Sequence, residues 1–404
     1  MVDEKHQGQS LTKHFAFNYY LLLAPTIFLV VFGLCMVFSA SSVSQMQQGE
    51  SAISLLLKQM VFAIIGLVGM FALANVSIEV YSRFSNLLII IAFGLLAGTF
   101  AFGRAAGGNN NWLQIGSVSF QPSELAKLAV SVWLGVQLAK LVRDGQINNI
   151  RSLLDKKILL GVCGVVGCIL AGKDLGTTMI FLVIIFIQLF IAGVRKRYLF
   201  ITFLLGSALC AVFVLISGNR KARILGNYTN CGGDTQHWCY QSTHGKYALA
   251  TGGIWGVGPG ASREKWSYLP EAHNDFILAI IGEELGVVGT LTVLICYGLM
   301  IWTMFHVVMR NNDLRCRIIT AGIIAWIAGQ AIFNIGAVLT FLPVIGVPLP
   351  LISYGGTSLI SVLWALGVVM SFIKMDARIF TGTSKRYKKQ AKDVITVLDN
   401  GVSR

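Results

Sequence analysis

Long apolar runs separated by short polar stretches dominate this chain. They occupy residues 21–39, 60–74, 87–102, 125–142, 158–171, 175–194, 198–217, 276–308, 318–339 and 359–373. Most approach the roughly 20 apolar residues that an α-helix needs to cross a hydrocarbon core of about 30 Å. The pattern predicts an all-α fold, a polytopic membrane bundle of about ten transmembrane helices over residues 19–375. A cytoplasmic segment at 1–18 precedes it and a basic cytoplasmic tail at 376–404 follows. One polar stretch, about 218–274, is far longer than the others and predicts a single large extracellular loop.

Two runs ask for separate treatment. The first is long for a signal-peptide core and no small-residue cleavage pattern follows it, so it reads as a retained helix. The eighth is too long for a simple crossing: at 1.5 Å per residue it makes a helix of about 50 Å against a core of about 30 Å. It is expected to project outward, with Asp275 above the hydrocarbon and Glu283 and Glu284 two to three turns deeper. No internal repeat is visible, which argues against the inverted-repeat transporters.

Composition agrees with a bilayer. Hydrophobic residues make up 55% of the chain and charged residues 12%, against about 25% charged in soluble domains; the mean hydropathy is +0.70. A formal charge of +14 raises the question of nucleic acid, and its distribution answers it. Basic residues recur between apolar runs, at Arg195, Lys196 and Arg197, at Arg310, Arg315 and Arg317, and through 385–392. With the amino terminus inside, 22 of the 32 Lys and Arg fall on the inner side, so both termini are predicted to be cytoplasmic. No nucleic-acid partner is expected.

Candidate chemistry then collects on the outer face. The stretch Leu269-Pro-Glu-Ala-His273-Asn-Asp275 brings acid and imidazole to a helix entrance. A carboxylate at a water–membrane boundary suits a general base, while Asn274 or Asp275 capping the helix is the alternative. Gln121-Pro-Ser-Glu124-Leu-Ala-Lys127 opens the fourth run, with Glu124 and Lys127 three apart on one face, where an ion pair in a membrane serves a site or a polar bundle contact. Asp174 is a third polar member or a helix cap. Ser353-Tyr-Gly-Gly offers backbone approach to a phosphate or an ordinary turn. The glycine-rich 252–260 lacks the strand and helix that a nucleotide fingerprint requires, and its neighbours Arg263 and Lys265 suit a pyrophosphate or a solvated loop. Cys231 and Cys239 in the large loop are candidates for a disulfide facing an oxidising exterior.

Taken together, Trp112, the Gln121–Lys127 motif, Asp174-Leu-Gly-Thr177, Leu269–Asp275 and Pro348-Leu-Pro-Leu-Ile-Ser353-Tyr-Gly-Gly resemble the SEDS proteins (shape, elongation, division and sporulation), the division member most closely. The likeness runs from the first span to the last. It departs at Gly172-Lys173, where the family usually has Gln-Pro. The resemblance implies a peptidoglycan glycosyltransferase that polymerises lipid II outside the bacterial cytoplasmic membrane, at the division septum, with a class B penicillin-binding protein and other divisome membrane proteins as partners. It implies Asp275 as the essential loop carboxylate, with Glu124, Lys127, Asp174 and Ser353 lining a cavity and Trp112 in the preceding outer loop; His273, Arg263 and Lys265 stand beside these as substrate-binding candidates from the residues themselves. No cofactor is demanded, a divalent cation (Mg or Mn) being the one candidate. The rival readings are a lipid II flippase and the elongation-type polymerase; reactive groups gathered on one face favour an enzyme.

Overall fold

The computed structural model describes residues 2–106, 109–115, 118–153, 155–218, 221, 240–266 and 268–380. In chain order the elements are α1 (Val2–Gln47), α2 (Ser54–Leu73), α3 (Ile78–Phe102), strands β1 (Gly103–Ala106), β2 (Asn109–Ile115) and β3 (Val118–Phe120), α4 (Pro122–Arg143), α5 (Ile150–Leu153), α6 (Lys156–Ala171), α7 (Leu175–Ile191) and α8 (Lys196–Ile216). There follow α9 (Tyr240–Gly252), α10 (Ile277–Arg310), α11 (Leu314–Val338) and α12 (Gly356–Phe380).

Each of the ten apolar runs forms a helix. Eight of these are long and apolar enough to cross a membrane, and α7 is a shorter apolar helix. The 16 residues of α6 and 17 of α7 give about 25 Å each at 1.5 Å per residue. They meet at the turn Gly172-Lys173-Asp174, where Lys173 takes a φ of 62°.

Side chains sort by neighbour rather than by polarity. The apolar windows of α4, α11 and α12 are 67%, 72% and 83% buried, whereas that of α8 is 6% buried. The first three therefore form the interior of the bundle and α8 presents nearly its whole surface to lipid, as with Phe200, Leu205 and Leu215. Without a hydrophobic force between helices in lipid, close packing carries association, and small residues permit it. A Cβ on Gly367 of α12 would stand 2.5 Å from the carbonyl of Met70 in α2. Polar ties add to this: Gln188 Nε2 of α7 donates to the carbonyls of Ser131 in α4 (2.7 Å) and Ile318 in α11 (3.2 Å).

Three features differ from a plain bundle. Residues of the 103–120 stretch make a small antiparallel sheet in the order β1-β2-β3. The large loop contains α9. The long eighth helix is interrupted: Gly286 has φ 66° and ψ −162°, a backbone conformation essentially confined to glycine. Instead of one projecting rod, α10 is a nine-residue stub at 277–285 followed by a crossing segment. All residues from 277 to 284 are buried, so the stub is packed inside the protein and Glu283 and Glu284 lie in its interior.

Candidate active site

The loop before the stub is fixed by its own carbonyls. Glu271, at φ 58°, turns the chain so that the N–H groups of Asn274 and Phe276 donate back to its carbonyl (3.0 and 3.3 Å). The carbonyls of residues 273, 274 and 275 are each taken by the 334–354 region. His273 O accepts from Tyr354 N–H at 2.9 Å, Asn274 O from the Ser353 hydroxyl at 2.7 Å, and Asp275 O from Asn334 Nδ2 at 2.8 Å. The same amide donates to Val347 O at 2.8 Å. Asp275 is thus held at both flanks while its carboxylate, half-buried, faces a crevice lined by Phe333, Val344, Ile345 and Gly346. Gly346, at φ 70°, offers bare backbone: a Cβ there would be 3.5 Å from Asp275 Oδ2. The N-cap position of the helix that follows falls on Phe276, one residue after Asp275.

A second polar set lies deeper. Pro122 starts α4, where its missing N–H costs nothing, and Glu124 and Lys127 on the first turns are 2% and 1% exposed. Lys127 Nζ donates to Glu124 Oε1 at 2.7 Å and sits 5.1 Å from the centre of the Trp326 ring. Among the described residues, Glu124 Oε2 and the Ser123 hydroxyl have no hydrogen-bond partner. A buried carboxylate oxygen left bare is costly, and an incoming hydroxyl or water would satisfy it. Asp174 does cap α7, accepting from Thr177 N–H (2.9 Å) and its hydroxyl (2.8 Å). It also collects Asn111 Nδ2 (2.9 Å) and Gln121 Nε2 (3.4 Å), which ties the β2 strand and the start of α4 to the same carboxylate.

The 345–347 segment joins the two sets. A Cβ on Gly176, two residues after Asp174, would be 2.8 Å from Ile345 O, while Gly346 faces Asp275. Trp112, half-buried, follows Asn111 on β2 and lies opposite Arg104 of β1. His273 is half-buried with its ring 5.8 Å from that of Tyr354; burial lowers its pKa from the usual 6.5, against the opposing pull of Glu271. Ser353 is buried and structural in its contacts, accepting from Leu349 N–H at 2.8 Å as well as donating to the Asp275 loop. The side chain of Arg263 is exposed. Lys265 is buried, with Nζ donating to Glu284 Oε1 (3.1 Å) and Gly260 O (2.5 Å). Cys231 and Cys239 lie outside the described residues.

Sequence reasoning passed over the amides that hold this site. Gln59 of α2 donates to Ser353 O and accepts from Gly355 N–H, both at 3.3 Å. Gln59, Asn111 and Asn334 are 1%, 7% and 2% exposed. An isolated amide at such depth has to find partners, and Gln59 and Asn334, each within or beside an apolar run, are visible as that kind of signal. The described residues contain no group of three or more His, Cys, Asp or Glu able to hold a metal ion.

Comparison with known proteins places this geometry in context. A family model described as a cell cycle protein, covering FtsW, RodA and SpoVE, matches residues 20–378. The probable peptidoglycan glycosyltransferase FtsW of Mycobacterium tuberculosis is 36% identical over 354 residues, spanning 87% of this chain and 67% of the relative. The stage V sporulation protein E of Bacillus subtilis is 34% identical over 357 residues, covering 87% and 95%. Among solved structures, the rod shape determining protein RodA of Thermus thermophilus superposes with a TM-score of 0.64 at 26% identity, covering 87% of this chain and 95% of that one. A chain of a peptidoglycan synthase complex that coordinates polymerization and crosslinking superposes at 0.68 with 27% identity, covering 87% and 97%.

Proposed function

Because this chain belongs to the FtsW, RodA and SpoVE family, we propose that it is a peptidoglycan glycosyltransferase of the cell-division type, polymerising lipid II at the outer face of the cytoplasmic membrane. Asp275 carries the reading. It is a half-buried carboxylate whose backbone is pinned on three successive carbonyls, which preorganises it for proton transfer.

In the reaction the 4-hydroxyl oxygen of the acceptor sugar attacks the anomeric carbon of the donor, and its proton passes to Asp275. The bond from that carbon to the pyrophosphate oxygen breaks, with inversion, releasing undecaprenyl pyrophosphate. Charge accumulating on the leaving group calls for cations where it develops. Arg263 exposes its head for this purpose, and Lys127 with Glu124 and Asp174 supplies the polar interior of the cavity. Trp112 and His273 border the approach. A Mg²⁺ ion carried by the pyrophosphate, which needs only one or two protein carboxylates, would supply further neutralisation there. The apolar flanks of the bundle keep the polyprenyl tail in lipid while its sugar reacts in water.

Both termini lie in the cytoplasm, a class B penicillin-binding protein is the partner that crosslinks the strands, and the division septum is the site of action. The relative found in a synthase complex supports the partner. Purified full-length protein is expected to convert lipid II to long glycan strands, and Asp275→Asn to abolish this while leaving the protein folded. Full polymerisation by that variant removes the carboxylate from the mechanism, and headgroup translocation in vesicles without polymer makes the protein a flippase.

A further inference from the structure

The stub that carries Asp275 at its head is cut off from the rest of α10 by Gly286, so helical continuity does not set its position. The break leaves backbone groups without helical partners, and the glycine-rich turn at 253–258 supplies them. Val257 and Gly258 N–H donate to the carbonyls of Glu283 (2.9 Å) and Glu284 (3.0 Å), and Val287 and Val288 N–H donate to those of Gly253 (2.9 Å) and Ile254 (3.3 Å). The turn therefore binds the stub on one side of the break and the crossing segment on the other. The Glu283 carboxylate adds to the hold on the stub, accepting from the Ser262 hydroxyl (2.5 Å) and Arg263 N–H (2.9 Å).

The charged tie from the stub to α1 is Glu284. Its carboxylate accepts from the Ser39 hydroxyl of α1 (2.7 Å) and from Lys265 Nζ (3.1 Å), with the two charged side chains 1% and 5% exposed. A buried ion pair rarely adds net stability over apolar residues of the same size, because desolvation offsets the attraction, whereas its directional bonds do fix geometry. We propose that Lys265, Glu284 and Ser39 are positioning residues for glycosyl transfer: a buried clamp that sets the height of the stub on α1, and through a rigid segment of about 14 Å the height of Asp275. This rests on the reading of Asp275 as the base.

The test uses full-length protein in detergent, with lipid II polymerisation, thermal unfolding and amide hydrogen exchange measured on Lys265→Met, Glu284→Leu, the double variant and Lys265→Arg. Each single removal leaves a buried charge unpaired and is expected to lower both the unfolding temperature and kcat, the latter by about 100-fold, as for a misplacement near 1 Å. The double variant regains the unfolding temperature yet stays at least about tenfold down in kcat with KM within about twofold, the mark of a lost transition-state alignment rather than lost binding. Lys265→Arg recovers kcat. Wild-type kcat in the double variant overturns the clamp, as does a raised KM with unchanged kcat, which would make Lys265 a substrate contact. Failure of the wild-type protein to polymerise lipid II instead defeats the functional reading. Hydrogen exchange then decides the clamp alone: faster exchange at 277–285 in the double variant, with α11 unchanged, upholds it, and unchanged exchange there overturns it.

Discussion

Single residues in this protein act through what their neighbours leave unsatisfied. His273 is the clearest case. Burial depresses its pKa below the ordinary 6.5, so the native imidazole resists a proton that the unfolded chain accepts. Between the two values the unfolded state binds more protons, and stability rises with pH there. The contribution is complete above pH 6.5 and is lost as pH falls through that value toward the depressed native one. The thermal midpoint of the purified protein is expected to drop on acidification below pH 6.5, and His273→Gln to flatten the drop; an identical pH profile in the variant would count against the buried neutral form. At this scale the sequence exposed the candidate groups, because carboxylates and an imidazole stand out in an apolar chain. It did not expose their supports. Nothing local about Asn334 announces that its amide spans Asp275 O and Val347 O, since that pairing joins chain segments across the fold.

The elements were legible wherever a run of apolar residues demanded a helix, because backbone groups in lipid have few other ways to be satisfied. Ten runs became ten helices on that ground. Interruption was not legible. A glycine inside a helical pattern is ordinarily tolerated at about 1 kcal/mol relative to alanine, and within its apolar run Gly286 looks no different from Gly94. The structure separates the two. An added Cβ meets nothing within 4 Å at Gly94, whereas at Gly286 it lies 2.3 Å from Ile254 O on a backbone at φ 66°. Gly286→Ala is expected to destabilise the protein by about 1–3 kcal/mol and to cut polymerisation sharply, while Gly94→Ala leaves both nearly unchanged. Thermal unfolding of the two variants in the same detergent checks this, and equal midpoints would mean that the break is not structurally required. The sheet at 103–120 escaped notice for a related reason: β1 and β3, of 4 and 3 residues, are too short to show an alternation, and the seven residues of β2, Asn-Asn-Asn-Trp-Leu-Gln-Ile, do not alternate.

For the molecule as a whole, the basic loops predict an orientation, because the rule counts Lys and Arg in short loops regardless of tertiary structure. It puts Trp266, which is 57% exposed, outside, and the 311–313 turn inside. In a variant lacking the native cysteines, Trp266→Cys is expected to react with an impermeant thiol reagent on intact cells, and Asn312→Cys only after permeabilisation. The opposite pattern would place Asp275 on the cytosolic side and end the proposal of external transfer.

The segment at 345–347 gives this architecture a shared boundary. One face meets Gly176, beside Asp174, and the other meets the Asp275 carboxylate through Gly346. A strand of backbone a single chain thick has no insulating layer, so a bulky group introduced there pushes on both polar sets at once. Substitutions along it should be pleiotropic, and selection can retune one set only by finding a compensating change in the other.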